Sequence, residues 1–304
     1  MRGKARETGT TVRTAVVLMA YGSPERAEDV PAYFADIRDG RPVRPEAVAE
    51  LTERYRGIGG RSPLNEITEA QRSALEHELD MPVYVGMKHW QPRIAEAAER
   101  ATADGAERIV GVVLAPHYSR ISIGGYRDRL EDALADGTDL VFVPSWHDHE
   151  PFVDVLAERV RGTDAHVVFT AHSLPERILA EGDPYRDELL ETSRLVADRA
   201  GVKNWSFAFQ SESPADEAWL GPDILVELET LHERGVDKVL VAPVGFVSDH
   251  LEILWDIDVE ARDKAAELGL ELGRIESLND DAAFIRALAE LVKEASAAPR
   301  IGAR

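Results

Sequence analysis

The sequence contains no cysteine among its 304 residues. This excludes disulfides, thiolate zinc sites and cysteine-ligated iron–sulfur clusters. It is also compatible with the cytoplasm, which is the location we expect. No apolar run approaches the roughly 18–20 residues of a membrane span, and the basic start lacks the apolar segment of a signal peptide. We therefore predict no membrane insertion and a flexible tail over residues 1–13.

Positive charge is scarce. The chain has 35 Lys and Arg residues against 56 Asp and Glu, a formal net charge of −21. A nucleic acid would be repelled by this excess, so we do not expect one as a partner. The carboxylates could provide a solubilising surface, an adaptation to salt or a means of gathering cations, and composition leaves all three open.

Short apolar runs alternate with helical patterns along the whole chain. Eight strands with helices between them indicate βα units and parallel sheets, so the fold class is α/β. We predict two similar Rossmann-like lobes, residues 14–150 and 151–304, each a four-stranded parallel sheet flanked by helices, with a ligand cleft between them. The last helix is a candidate to pack back on the first lobe. The predicted strands cover residues 14–20, 82–86, 108–115, 139–145, 165–171, 205–209, 237–243 and 270–275.

Two strand ends carry side chains that could take part in chemistry. In FTAHSLPERI, residues 169–178, His172 stands where the fifth strand ends, which is where ligands bind in open α/β sheets. A neutral imidazole can accept protons and bind a metal. Tyr21, in MAYGSP, ends the first strand of the other lobe. In a dinucleotide-binding protein, a G-x-G-x-x-G motif would follow the first strand. MAYGSP stands there instead, so we do not expect a dinucleotide as the ligand.

An acidic pattern follows the seventh strand. In PVGFVSDHLEILWDIDVE, residues 243–260, four carboxylates are spaced three, four and four residues apart. On an α-helix this spacing places Asp249, Glu252, Asp256 and Glu260 on one stripe. Carboxylate and imidazole are natural ligands for a divalent metal of intermediate hardness. A solvated helix face is the alternative, but the position after a strand's carboxyl end favours a metal site.

Arginines cluster in two loop segments of this acidic protein. Residues 36–45 include Arg38, and the glycine-rich segment 54–68 includes Arg54. Clustered guanidinium groups suggest that an anionic ligand is held there. The alternative is that these arginines pair with nearby carboxylates.

Eight motifs together resemble those of the ferrochelatases, in the same order and over nearly the whole chain. The short chain and the absence of a membrane-docking apolar lip are similar to the bacterial coproporphyrin ferrochelatases, which insert Fe²⁺ into coproporphyrin III. The resemblance implies a monomeric lyase of haem biosynthesis with a porphyrin cleft, Fe²⁺ as substrate and no prosthetic group. The motifs are MAYGSP, RYRGIGGRSPLNEIT, GMKHWQP, LAPHYS, AHSLPERI, GDPYRDEL, FQSESPADEAWLGPD and PVGFVSDHLEILWD.

The resemblance also implies residue roles. His172 matches the family's essential histidine and Glu252 the carboxylate that faces it, so both are expected to be catalytic and to bind metal. Asp256 and Glu260 match an acidic path that leads outward and complete the expected metal ligands. Asp39 departs from the pattern where a second basic residue is expected, which weakens the case for propionate contacts on that side. The expected porphyrin contacts are Tyr21, an iron ligand in the coproporphyrin subfamily, and Arg38, Arg54, Tyr55, Ser62 and Tyr126.

Two alternatives remain at this point. The substrate could be protoporphyrin IX or another tetrapyrrole instead of coproporphyrin III. A bilobed protein that carries haem without chemistry would also have two lobes and a cleft, although it would not explain a histidine and an acidic stripe together.

Beyond coproporphyrin III and Fe²⁺, neighbouring haem-pathway enzymes are the partners that the resemblance suggests.

Overall fold

The computed structural model describes residues 12–212 and 217–297. Most of the predicted tail, residues 1–11, lies outside the described residues. The described part contains eight strands, each close to the predicted position. They are β1 Thr14–Ala20, β2 Val83–Met87, β3 Arg108–Val113, β4 Asp139–Val143, β5 His166–His172, β6 Trp205–Gln210, β7 Lys238–Ala242 and β8 Glu271–Arg274.

These strands form two four-stranded sheets. The strand orders are β2-β1-β3-β4 and β6-β5-β7-β8, and each neighbouring pair is parallel. Leu18 pairs with Val85 on one side and Val112 on the other, so β1 is central in its sheet. Phe169 in β5 pairs with Phe207 and Ala242 in the same way. The prediction of an α/β fold with two similar parallel sheets is confirmed.

Helices flank both sheets. The α-helices of the described residues are α1 Val30–Ile37, α2 Pro45–Gly57, α3 Leu64–Leu79, α4 Ile94–Ala103, α5 Gly125–Ala133, α6 Glu150–Val160, α7 Arg177–Ala180, α8 Tyr185–Ala200, α9 Ile224–Glu233, α10 Arg262–Leu268 and α11 Ala282–Ser296. A 3₁₀-helix spans Ala27–Asp29, and π-helices span Arg120–Gly124 and Ile253–Ala261. None of the described helices is long and apolar enough to cross a membrane.

Local signals account for several helix ends. Asp281 begins α11, where its carboxylate accepts hydrogen bonds from the backbone N–H groups of Ala283 and Phe284. Gly201 ends α8 in the left-handed region, with φ at 75°, a conformation that glycine adopts without steric cost.

One hydrophobic core joins the two sheets. Leu18 of β1 and Phe169 of β5 belong to the same buried cluster, together with Phe284 and Leu288 of α11. Helix α11 packs against α3, α6 and β3, so the last helix contacts elements from both halves of the chain. The carboxyl ends of parallel strands meet at one edge of each sheet, and this shared core holds the two edges in a fixed relation.

Candidate active site

His172 and Glu252 meet at the edge of the second sheet. β5 ends at His172, and the Nδ1 atom of this residue lies 2.9 Å from Oε2 of Glu252, the residue before the π-helix Ile253–Ala261. The Tyr185 hydroxyl donates to the backbone carbonyl of His172 at 2.9 Å. About one third of each side chain remains exposed, 32% for His172 and 33% for Glu252, so both can be reached from solvent.

Each member of this pair favours the charged form of the other. Burial by itself would lower the pKa of His172, but the Glu252 carboxylate outweighs it and raises the pKa. Burial would likewise raise the pKa of Glu252, yet the imidazoles of His172 and His250 hold it well below its usual range. His250 Nε2 lies 3.8 Å from Glu252 Oε2. The contact therefore stabilises the protonated imidazole and the ionised carboxylate together.

The acidic segment forms a π-helix over Ile253–Ala261, so the predicted α-helix was wrong. In a π-helix each N–H bonds to a carbonyl five residues back, and the wider turn rotates residues four apart away from a common line. Near its start, the Gln210 amide donates to the backbone carbonyl of Glu252 at 3.0 Å. Such helices occur often at functional sites.

Asp249 does not belong to the acidic stripe. It precedes the helix, and its carboxylate accepts hydrogen bonds from the Ser277 hydroxyl at 2.6 Å and the Asn279 amide at 3.0 Å. Arg274 forms an ion pair with it at 3.2 Å. Asp249 therefore anchors the segment that leads into the site.

Arg54 of α2 reaches across from the first lobe to the other two carboxylates. Its guanidinium nitrogens lie 3.4 Å from Asp256 and 3.7 Å from Glu260. Ser211 also donates a short hydrogen bond to Asp256, and the Trp255 indole donates to Glu260 at 2.8 Å. Arg54 thus contacts the acidic residues of this structure in addition to its expected role at the porphyrin.

Asp256 is the carboxylate of the site that titrates near neutral pH. Burial and the negative charge of Glu252 raise the pKa of Asp256 to about 7, against the opposing effects of the Ser211 hydrogen bond and the Arg54 charge. A group with this pKa exchanges a proton easily at physiological pH.

A pocket of about 110 Å³ lies where Arg54 faces the π-helix, and four of its nine lining residues are acidic. Within residues 12–212 and 217–297, no three His, Asp or Glu side chains stand close enough together to enclose a metal ion. The four predicted metal ligands are therefore divided into the His172–Glu252 pair and the Asp256–Glu260 pair around Arg54. The pocket is lined by Arg54, Gln210, Ser211, Glu212, Asp223, Ile224, Leu225, Asp256 and Glu260.

Two of the expected porphyrin contacts are exposed. Tyr21 follows β1, is 41% exposed and packs its ring 4.6 Å from that of His89. Partial desolvation of the phenol by the surrounding protein atoms and the Glu252 charge raise the pKa of Tyr21, so its hydroxyl is neutral at physiological pH. Arg38 lies exposed at the end of α1. Both side chains are accessible to a ligand.

Apart from Arg54, the remaining three expected contacts are buried. Tyr55 hydrogen-bonds the Ser23 hydroxyl at 2.9 Å, and Ser62 accepts the Leu64 N–H at 3.3 Å, as at the start of a helix. Tyr126 is 4% exposed. Their substrate role stays a prediction, and the structure shows packing and hydrogen bonding around each.

Comparison with known proteins identifies the family. A model of the ferrochelatase family matches residues 13–296. The chain belongs to the ferrochelatase family. It is 43% identical over 301 residues to the ferrochelatase of Herpetosiphon aurantiacus, covering 93% of this chain and 99% of that protein. It is 40% identical over 297 residues to the coproporphyrin III ferrochelatase of Geobacillus kaustophilus, covering 91% and 94%.

Solved structures share the two-lobed fold of this ferrochelatase family member. SirB from Bacillus subtilis with Fe³⁺ superposes with a TM-score of 0.63 at 12% identity, covering 94% of this chain and 96% of that chain. CbiX, described as the terminal enzyme of sirohaem biosynthesis in denitrifying bacteria, gives a TM-score of 0.53 at 13% identity, covering 94% and 100%. At these identities the similarity shows the fold alone.

Sequence reasoning assigned no role to several polar residues that surround the site. Lys88 directly follows β2, so the strand-end rule that selected His172 would also have selected it. Gln210 ends β6 and could have been found in the same way. Ser211 reaches Asp256 and Arg129 lies on α5, but no local pattern in the sequence marks either residue.

Proposed function

We propose that this member of the ferrochelatase family inserts Fe²⁺ into coproporphyrin III in haem biosynthesis, without a resident prosthetic group. The observation that carries the proposal is the His172–Glu252 pair at a sheet edge, 2.9 Å apart and still exposed. The relatives named coproporphyrin III ferrochelatase support the choice of substrate, as does an exposed Tyr21 at the opposite strand end. Relatives named only ferrochelatase are at least as similar, so the substrate itself requires a test.

The reaction sets two chemical requirements. One Fe²⁺ replaces two pyrrole protons, so the products are the iron porphyrin and two protons, and the hydrated metal must exchange water for pyrrole nitrogens. Glu252 can take the place of a water on Fe²⁺, because carboxylate oxygens suit this metal. Once Fe²⁺ binds Glu252, the carboxylate charge that raised the pKa of His172 is neutralised, and a protonated imidazole can release its proton to the solvent that reaches this side chain. The neutral ring is then able to accept a pyrrole proton.

The acidic pocket provides a supply route for the metal. Asp256 and Glu260 lie on the π-helix beyond Glu252, and the guanidinium of Arg54 forms an ion pair with each of them. Because the carboxylates are paired and not gathered into one closed site, Fe²⁺ would be held weakly enough to move onward. Asp256, whose pKa is about 7, can give up its proton when the cation arrives.

An anaerobic assay tests the proposed function. Purified protein is incubated with Fe²⁺ and either coproporphyrin III or protoporphyrin IX, and metallation is followed by visible absorption. We expect multiple turnovers with coproporphyrin III and a much lower kcat/KM with protoporphyrin IX. A preference for protoporphyrin IX would overturn the substrate, and no turnover of either porphyrin would instead favour a haem-binding protein.

A further inference from the structure

Two cations near Tyr21 have no carboxylate partner in the described part of the chain. Lys88 follows β2 and Arg129 lies on α5, and neither forms an ion pair with any described residue. Other partly buried cations of this acidic protein do have such partners. Arg93 lies 2.8 Å from Asp36, for example. A pair of cations without an anion is therefore unusual here.

The hydrogen bonds of the two cations are incomplete. Lys88 Nζ donates to the Ser122 carbonyl at 3.0 Å and lies 4.7 Å from the centre of the Tyr126 ring, while an ammonium group has three N–H donors. The Nη1 atom of Arg129 is buried and has no hydrogen-bond partner among the described residues. A buried donor without an acceptor costs free energy unless a ligand or water satisfies it.

The two cations lie at the same part of α5, because Lys88 Nζ lies over the ring of Tyr126 and Arg129 follows three residues later on that helix. Burial and the Arg129 charge lower the pKa of Lys88 to about 8. The carboxylate that opposes this shift, Asp39, is exposed and lies 3.5 Å from Arg41. An anion placed between Lys88 and Arg129 would relieve their repulsion and satisfy the open donors.

Lys88 lies at the strand-end edge where the substrate is expected. Its backbone N–H donates to the carbonyl of Ala20, and the next residue, His89, donates to the carbonyl of Tyr21, both at 2.9 Å. Arg129 is close enough to affect the pKa values of Tyr21 and Tyr126. The cation pair therefore adjoins Tyr21 and is separate from Arg54, whose guanidinium is engaged by Asp256 and Glu260.

We propose that Lys88 and Arg129 form a carboxylate subsite that binds one propionate of coproporphyrin III and selects this porphyrin over protoporphyrin IX. The inference rests on the proposed function. Coproporphyrin III carries four propionates, whereas protoporphyrin IX has vinyl groups in place of two of them. A vinyl group of protoporphyrin IX beside the cation pair would leave buried charged donors without an acceptor. A site built to bind a polar group discriminates against a ligand that lacks this group, so the subsite should disfavour protoporphyrin IX.

Binding of metal-free porphyrins, followed by fluorescence quenching, tests the subsite. We compare wild type with Lys88→Met, Arg129→Met and the double variant, using coproporphyrin III and protoporphyrin IX. Each single variant should bind coproporphyrin III about tenfold more weakly, since a hydrogen bond to a charged group contributes roughly that factor. Affinity for protoporphyrin IX should change less than about threefold. Arg127→Met is the matched control, because Arg127 lies on the same helix, is exposed and pairs with Glu131 at 2.7 Å.

The outcomes separate the subsite from the proposed function. An unchanged affinity of the double variant for coproporphyrin III, or an equal loss for both porphyrins, would overturn the subsite even if wild type metallates coproporphyrin III normally. Failure of wild type to metallate coproporphyrin III would instead overturn the proposed function. If Lys88→Met does not fold, the subsite is tested with Arg129→Lys and Arg129→Gln. Arg129→Lys keeps the charge and should retain most of the preference for coproporphyrin III over protoporphyrin IX, whereas the neutral Arg129→Gln should lose it.

Discussion

His172 Nδ1 lies 2.9 Å from Glu252 Oε2, although the two residues are 80 positions apart in the chain. The contact joins the carboxyl end of β5 to the start of the π-helix. Each group favours the charged form of the other, so the protonated form of the imidazole is stabilised for as long as the carboxylate keeps its charge. In this account the arrival of Fe²⁺ at Glu252 is what makes His172 available as a base.

Glu252→Gln should lower the pKa of His172. Without the carboxylate, burial is the largest remaining influence on the imidazole and favours its neutral form. We expect the His172 ring to titrate at a lower pH in the variant than in wild type, as read from the ring ¹⁵N chemical shifts by NMR. Iron insertion should also fall severely. An identical His172 titration in both proteins would contradict the ion pair.

Asp256→Asn should change the pH dependence of stability. The pKa of Asp256 rises from 3.8 to about 7 on folding, so the folded state holds this proton more tightly than the unfolded state. Wild type therefore loses stability as pH rises from about 4 to about 7. Relative to wild type, the variant's free energy of unfolding should be higher at pH 8 than at pH 5 by about 3 kcal/mol, which corresponds to the two pH units between 5 and the folded-state pKa. Urea denaturation at both pH values measures this difference, and a pH-independent effect would argue against it.

Asp256→Asn and Glu260→Gln should mainly raise the Fe²⁺ concentration needed for half-maximal rate. Both residues lie farther along the π-helix than Glu252, and each still contacts Arg54. At saturating Fe²⁺ their turnover should approach that of wild type, whereas Glu252→Gln should stay impaired. Steady-state rates measured against iron concentration test this gradation. Equal loss of turnover in all three variants at saturating iron would remove the supply route.

Tyr21→Phe should alter the spectrum of the ferric product. The pKa of the Tyr21 phenol is raised, so ionisation requires a strong local charge, which ferric iron in the porphyrin would provide. Wild type with ferric coproporphyrin should show a high-spin, tyrosinate-ligated spectrum by resonance Raman. The variant should lose this signature and release product faster, with a smaller effect on insertion. Superimposable spectra would exclude Tyr21 as a ligand and weaken the choice of coproporphyrin.

The strands and the residues at their ends could be predicted from sequence. β-branched apolar runs mark buried parallel strands, and the end of β5 then places His172 at the ligand-binding edge. The identity of its partner was accessible too, through the acidic pattern and the family resemblance. What could not be predicted was the state of the pair, since the pKa of His172 depends on a contact 80 residues away.

The form of the acidic helix and its contacts could not be predicted either. A spacing of four residues is compatible with both α- and π-helices, so the pattern alone does not distinguish them. Asp249 has its partners 28 and 30 residues later, and Arg54 reaches Asp256 over 202 residues. Arg129 lies on a helix with no distinguishing pattern, and that its Nη1 atom is buried without a hydrogen-bond partner among the described residues is a property of the fold.

The most direct measurement is a single-turnover assay of His172→Ala. Enzyme in excess over coproporphyrin III is mixed anaerobically with Fe²⁺, and insertion is followed by visible absorption. The control is His166→Ala, because His166 lies at the opposite end of β5 and hydrogen-bonds Ser206 at 2.9 Å. We predict that His172→Ala folds, binds coproporphyrin III and inserts essentially no iron, while His166→Ala inserts it at close to the wild-type rate. Near-normal insertion by a folded His172→Ala protein would contradict the account.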